Sequence, residues 1–225
     1  MKDTQMRYYF EISHPDSPDE NKSFHESVFK AIHDQAEPYD DPLTAARYRS
    51  WVGLSYPLFG DLDRYIMDEE LLTDSTFRLN FAIQHPGLYV GNVVHCVASQ
   101  QEPLKQLMSS EDIRTLQATG VVVSTITPVP AGVTERIYKR DRRPERRSWK
   151  CILRKTKNYN LNSTDSPYVP KPITEPLPRF ANMSSNNKRK PIHLKCVEAD
   201  KPHDSWYSMY GLSTKGSTVP RIPVQ

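Results

Sequence analysis

Apolar and polar residues alternate from Tyr8 to Ser13. Tyr8, Phe10 and Ile12 fall on one side and Tyr9, Glu11 and Ser13 on the other, the two-residue period of a strand with one apolar face. The period then changes. Ser23-Phe-His-Glu26 has the form of a capping box, in which the serine hydroxyl and the glutamate satisfy first-turn amides reciprocally. Phe24, Val28 and Ile32 recur every four residues, which predicts a helix from Phe24 to His33. Asp41-Pro42 reads as an N-cap and first helical residue, with Ala45, Tyr48 and Val52 following at helical spacing. This predicts a second helix ending before Pro57, and Leu62, Tyr65, Ile66 and Leu72 predict a third over 61–72.

Thr76 to His85 is the clearest alternation in the chain. After the Pro86-Gly87 turn, Leu88 to Ser99 is apolar enough to be buried on both faces, and the two segments are expected to pair as an antiparallel hairpin. Helical pieces follow at 103–108 and 110–119, with Ser110 as N-cap and Gly120 as the left-handed stop. Gly120 to Thr127 is β-branched. Val133 to Arg140 and Ser148 to Lys155 fit strands joined by the Asp141–Glu145 loop. From Asn158 the periodicity fades, and nine prolines fall between Ser166 and Gln225, with one ordered patch at Ile192 to Val197.

The fold class that follows is α+β. It has a small mixed or antiparallel sheet with several short helices, then a proline-rich, largely extended basic C-terminal tail. We divide the chain into a folded domain over 1–157, acidic to 135 and ending in a basic hairpin over 133–155, and a mostly disordered tail over 158–225.

Charge sharpens this picture. Up to Glu135 there are ten Lys and Arg against twenty Asp and Glu; from Arg136 onward there are twenty against seven. A split this strong points to a polyanion partner for the basic part. The densest stretch supplies the expected binding set: Arg136, Lys139, Arg140, Arg142, Arg143, Arg146, Arg147, Lys150, Arg154, Lys155 and Lys157. Tyr138, Trp149 and Tyr159 are interleaved as candidates for stacking on bases. Guanidinium groups bind phosphate in a bidentate way, so such an arm suits RNA, a nucleoprotein or an anionic membrane surface. The acidic half, or the aromatic segment Trp206–Tyr210, is expected to contact a protein partner or dock on the folded part.

Other chemistry finds little support. The three cysteines, Cys96, Cys151 and Cys196, are odd in number and widely spaced. His95-Cys96 point to opposite faces of a strand, and only His193/Cys196 approximates a metal-ligand pair, so neither a metal nor another cofactor is expected. His85 and His95 fail the two-histidine phosphoesterase pattern, because Gly87 and Val97 stand where hydroxyl residues are needed. With eight glycines there is no phosphate-binding loop. No catalytic residue is assigned. No apolar leader or membrane-length run is present, so the expected setting is intracellular, neither secreted nor transmembrane. That means the cytoplasm, with the nucleus as an alternative given the basic clusters.

The leading expectation is therefore a non-enzymatic binding or assembly protein that engages RNA or a nucleoprotein through its basic arm. In size and charge the chain also resembles a matrix-like adaptor of an enveloped virus, bridging anionic membrane and nucleoprotein. A hydrolase with an unfamiliar histidine-based site is the third reading.

Overall fold

A computed structural model describes residues 6–15, 24–41, 44–59, 90–142, 154, 180–185, 188–203, 205–214 and 216–224. Its described part is α+β, as expected, with three helices and antiparallel sheets. The first strand, β1 (Tyr8–Ser13), fully buries Phe10 and Ile12 as its alternation predicts, but Tyr9 of the other side is buried as well and Tyr8 only partly. It pairs antiparallel with β5 (Val93–Ala98), which in turn pairs with β4 (Gly53–Ser55). All six residues of β5 are buried, as a run apolar on both faces requires. Both edges of β5 are used by β1 and β4. The expected hairpin partner, 76–85, lies outside the described residues, as does the predicted third helix.

Helix α1 (Phe24–Asp34) buries Phe24, Val28 and Ile32, the stripe that predicted it, together with His25, Phe29 and Ala31. After β5 come α2 (Gln101–Met108) and α3 (Glu111–Ala118). Ser110 caps α3, its Oγ accepting from the Ile113 amide at 3.4 Å. Gly120, at φ +94°, ends it: the Gly120 amide bonds to the Gln117 carbonyl and the Val121 amide to that of Leu116. This pair of bonds satisfies carbonyls that the helix end would orphan. The short strands β6 (Val122–Val123) and β7 (Thr127–Pro128) then pair with β1.

The helix predicted from Asp41-Pro42 is corrected to a hairpin. Strand β2 (Glu37–Asp41) pairs antiparallel with β3 (Thr44–Ser50), with pairs running from Glu37↔Arg49 to Asp41↔Thr44. Tertiary pairing overrides the helical spacing here, because β3 gains a second partner, β11 (Tyr207–Ser208).

The C-terminal third supplies a further sheet. Strand β8 (Thr134–Arg140) lies between β10 (Lys188–Ala199) and β12 (Val219–Arg221), and β9 (Phe180–Ser185) pairs with β10. Thus β9 to β12 all come from positions beyond 158. Beside β12, the Ser213 amide donates to the Tyr138 carbonyl and the Tyr138 amide to Ser213 Oγ. Tyr138, Ile192, Leu194, Tyr207, Leu212, Val219 and Ile222 join Phe10, Ile12, Phe29, Ile32 and Val94 in one hydrophobic core. Near its edge, Arg7 and Glu135 form a buried bidentate ion pair that ties β1 to β8. Among the described residues, no helix is long and apolar enough to cross a membrane.

Candidate active site

Three of the described histidines are buried, while His193 is half-buried and His203 exposed. His25 is buried in α1, its Nε2 2.8 Å from the Gly91 carbonyl, and burial lowers its pKa to about 4. His95 is fully buried on β5, 2.9 Å from Glu11, and burial lowers it further than the carboxylate raises it. His14 is buried, edge-on to Phe24. Each has the neighbours of a core or near-core residue.

His33 differs. It lies in the last turn of α1, off the Phe24-Val28-Ile32 stripe, with its side chain 45% exposed. Its Nδ1 is 3.4 Å from Asp34 Oδ1, and its ring stacks on that of Tyr210 at 5.8 Å between centroids and 27° between planes. Phe29, one turn earlier, meets the same tyrosine edge-on at 6.2 Å. Lys30 completes the corner: its ammonium is 3.4 Å from Asp34 and 2.8 Å from Asp112 of α3, and the hydrogen bond to Asp112 is the main cause of its raised pKa.

Tyr210 is held by a tight turn. The Gly211 amide donates to the Ser208 carbonyl and the Ser208 amide to the Leu212 carbonyl, both at 2.8 Å, while Ser208 Oγ accepts from the Leu212 amide at 3.1 Å. Gly211 is at φ +70°, and its carbonyl accepts from the Leu54 amide of β4. A Cβ there would stand 2.7 Å from Leu54 Cγ and 3.2 Å from Ile32 Cδ1. The turn is thus seated on both α1 and β4, and this close approach sets the Tyr210 ring over His33. The aromatic segment singled out in the tail therefore docks on the folded part.

The expected polyanion set is spread across different surroundings. Lys139 and Arg140 are exposed at the end of β8, Arg142 just after it, and Arg154 is exposed. Arg136 is buried, its Nη1 donating to the Phe59 carbonyl at 3.2 Å. Tyr138 is fully buried and donates its hydroxyl to the Tyr56 carbonyl at 2.9 Å; burial pushes its pKa up to about 12. With both ring faces inside the core, Tyr138 offers none to a base. Arg143, Arg146, Arg147, Trp149, Lys150, Lys155, Lys157 and Tyr159 lie outside the described residues. One cation was missed: the register sets exposed Lys195 of β10 directly opposite Lys139. Cys96 is a core residue, and burial raises the pKa of both Cys96 and Cys196, so neither thiol is activated.

His33 was missed as a site residue because it read only as the end of an amphipathic helix. Two signals point toward the pair: a histidine off the apolar stripe, and an aromatic cluster in an otherwise polar tail.

No curated protein matches the chain. The family model described as CRISPR-associated protein (Cas_Csy4) matches residues 9–222, a span that includes both His33 and Tyr210. That family consists of CRISPR RNA-processing endoribonucleases. The match overturns the expectation of a non-enzymatic assembly protein and that of a viral matrix-like adaptor, and charge is the reason both arose. A basic stretch reports affinity for a polyanion and carries no information on whether the polyanion is cut. RNA remains the partner class, while the nucleoprotein and membrane expectations lose their basis. The setting of a CRISPR-associated protein is intracellular and prokaryotic, so the nuclear alternative falls too. With a match covering nearly its whole length, the chain belongs to the Cas_Csy4 family of CRISPR-associated proteins.

Proposed function

We propose that this protein binds CRISPR RNA and cuts it beside His33 and Tyr210, with outward-facing cations of the basic sheet holding the phosphate backbone. The observation that carries this reading is the His33–Tyr210 stack, an exposed imidazole and a phenol brought together by a helix end and a tight turn.

RNA carries its own nucleophile, the 2′-hydroxyl next to each phosphodiester. An imidazole that accepts the hydroxyl proton lets that oxygen attack the adjacent phosphorus. The bond to the 5′-oxygen of the next nucleotide breaks, and that oxygen takes up a proton. The products are a 2′,3′-cyclic phosphate and a 5′-hydroxyl, and the step consumes no co-reactant. Asp34 sits at Nδ1 of His33, which leaves Nε2 as the nitrogen for the proton transfer. The Tyr210 hydroxyl is a hydrogen-bond donor for charge developing on the phosphate.

Lys139 and Lys195 support the RNA-holding part. Like charges directly opposite on a sheet are destabilising, and a phosphate between them removes the repulsion. The rest of the basic stretch, from Arg140 to Lys157, belongs to the same proposal. The test is His33→Ala, assayed for RNA affinity and for cleavage in parallel. Cleavage should fall on the order of a hundredfold or more, with affinity nearly unchanged. Cleavage at the wild-type rate would remove His33 from the mechanism.

A further inference from the structure

A second aromatic array lies beside the His33–Tyr210 pair, on the sheet formed by β2, β3 and β11. The Tyr39 and Trp206 rings are 5.2 Å apart at 39°. The Arg49 guanidinium carbon lies 5.5 Å from the Tyr39 centroid and 4.6 Å from that of Trp51. Indole, phenol, guanidinium and a second indole thus follow one another, with Tyr39 on β2, Arg49 on β3, Trp206 just before β11 and Trp51 just after β3. Glu37 braces the far end: the Trp51 Nε1–H donates to its carboxylate at 3.1 Å, and Arg49 Nη2 is 3.7 Å from the same oxygen.

Two features are odd for a purely structural patch. Trp51 remains 41% exposed, although an indole gains most when covered. Arg49 Nε is buried with no hydrogen-bond partner among the described residues. Flat π-faces alternating with a guanidinium are what unpaired bases stack on, and the arrangement tolerates any sequence because every base has a π-face. The Glu37 carboxylate is engaged by the indole N–H and by Arg49, so it offsets the guanidinium without adding a lone negative charge.

Placement supplies the occupant. Two of the three chain segments that build the array, those of Tyr39 and of Trp206, also build the candidate active site. Glu37 follows His33 by four residues, the Ala36 amide bonding back to the His33 carbonyl at 3.1 Å. Trp206 precedes Tyr210 by four, across β11, where Tyr207 pairs with Ser50 and Ser208 with Arg49. Four residues span at most ~14 Å, about the reach of two or three nucleotides.

We infer that this array is a stacking site for the unpaired nucleotides that flank the cleavage point in the RNA. The inference rests on the function proposed above and extends it from the scissile phosphate to the strand leading away from it. Trp51 presents the outermost face, and Arg49 lies at the height of the phosphates between stacked bases.

The experiment titrates the full-length chain with CRISPR repeat RNA that either ends near the cleavage point or continues into an unpaired oligoadenosine flank. Cleavage of the unflanked RNA is followed in parallel. The flank should tighten binding ~tenfold or more and quench tryptophan fluorescence. Trp51→Ala should erase that gain while leaving affinity for the unflanked RNA and its cleavage intact. Trp51→Phe should restore most of the gain, and Tyr39→Ala should act like Trp51→Ala. Equal wild-type affinity for the two RNAs, with the unflanked one bound and cut, overturns the stacking site alone. A gain that survives both alanine variants does the same, as does an equal loss on both RNAs. A wild-type chain that neither binds nor cuts the unflanked RNA defeats the proposed function, and this inference with it.

Discussion

His25 and His33 share one helix and take opposite parts. His25 faces inward, and its lowered pKa makes it a liability in acid. The unfolded chain binds that proton near pH 6.5 and the folded chain only near 4. Between those values the unfolded state therefore holds more protons, and stability falls as pH drops. The loss from this one group is about 3 kcal/mol at most, and His95, lowered for the same reason, acts in the same direction. Urea midpoints measured from pH 7 to pH 4.5 should fall, and His25→Gln should flatten part of that slope. A wild-type midpoint constant over the range would contradict the burial of both groups. Gly211 shows how a residue with no side chain controls the site. Gly211→Ala should cost about 2 kcal/mol, from its positive φ and the approach to Leu54. It should also slow cleavage by moving Tyr210, which thermal melts and a rate assay read separately. The capping box and the four-residue stripe made α1 legible in the sequence. The reach of His33 to a tyrosine at position 210 was not, because no local rule connects positions so far apart.

At the scale of elements, β1 and β5 were read correctly as strands, whereas β3, a strand chosen by its partners, was not. β1 and β5 follow from alternation and from a run apolar throughout. β3 carries helical spacing at Ala45, Tyr48 and Val52, yet it becomes a strand because β2 and β11 are available to pair with it. β8 was anticipated as a strand, and its hydrogen-bonded neighbours β10 and β12 both come from a segment that shows little periodicity. That pairing brings Lys195 opposite Lys139 and makes a basic surface from two distant stretches of sequence. Replacing either lysine by Ala should weaken RNA binding across RNA sequences alike and reduce the slope of log affinity against log salt by about one unit. An unchanged slope in the double variant would place the phosphates elsewhere.

For the whole molecule, the described residues from 180 onward are part of the fold. Ile192, Leu194, Tyr207, Leu212, Val219 and Ile222 are all buried in the same core cluster as residues of the first half. A chain cut after position 179 would strip β8 of both neighbours and expose Tyr138, Tyr56 and Leu54. It should lose cooperative unfolding, and calorimetry would show no sharp transition; a normal melt would mean the first part folds alone. The sequence by itself determined the local elements whose signals are short-ranged: the α1 stripe, the two-sided burial of β5, and the Ser110 and Gly120 punctuation of α3. It also determined the affinity class, since the cation excess after Glu135 survives any folding. Tertiary structure alone decided which strands pair, which basic side chains face inward, as Arg136 does, and which histidine meets a phenol at the surface. The reason is physical. Caps and periodicity act over a few residues, whereas pairing and site assembly depend on contacts between segments whose separation along the chain leaves no trace in either one.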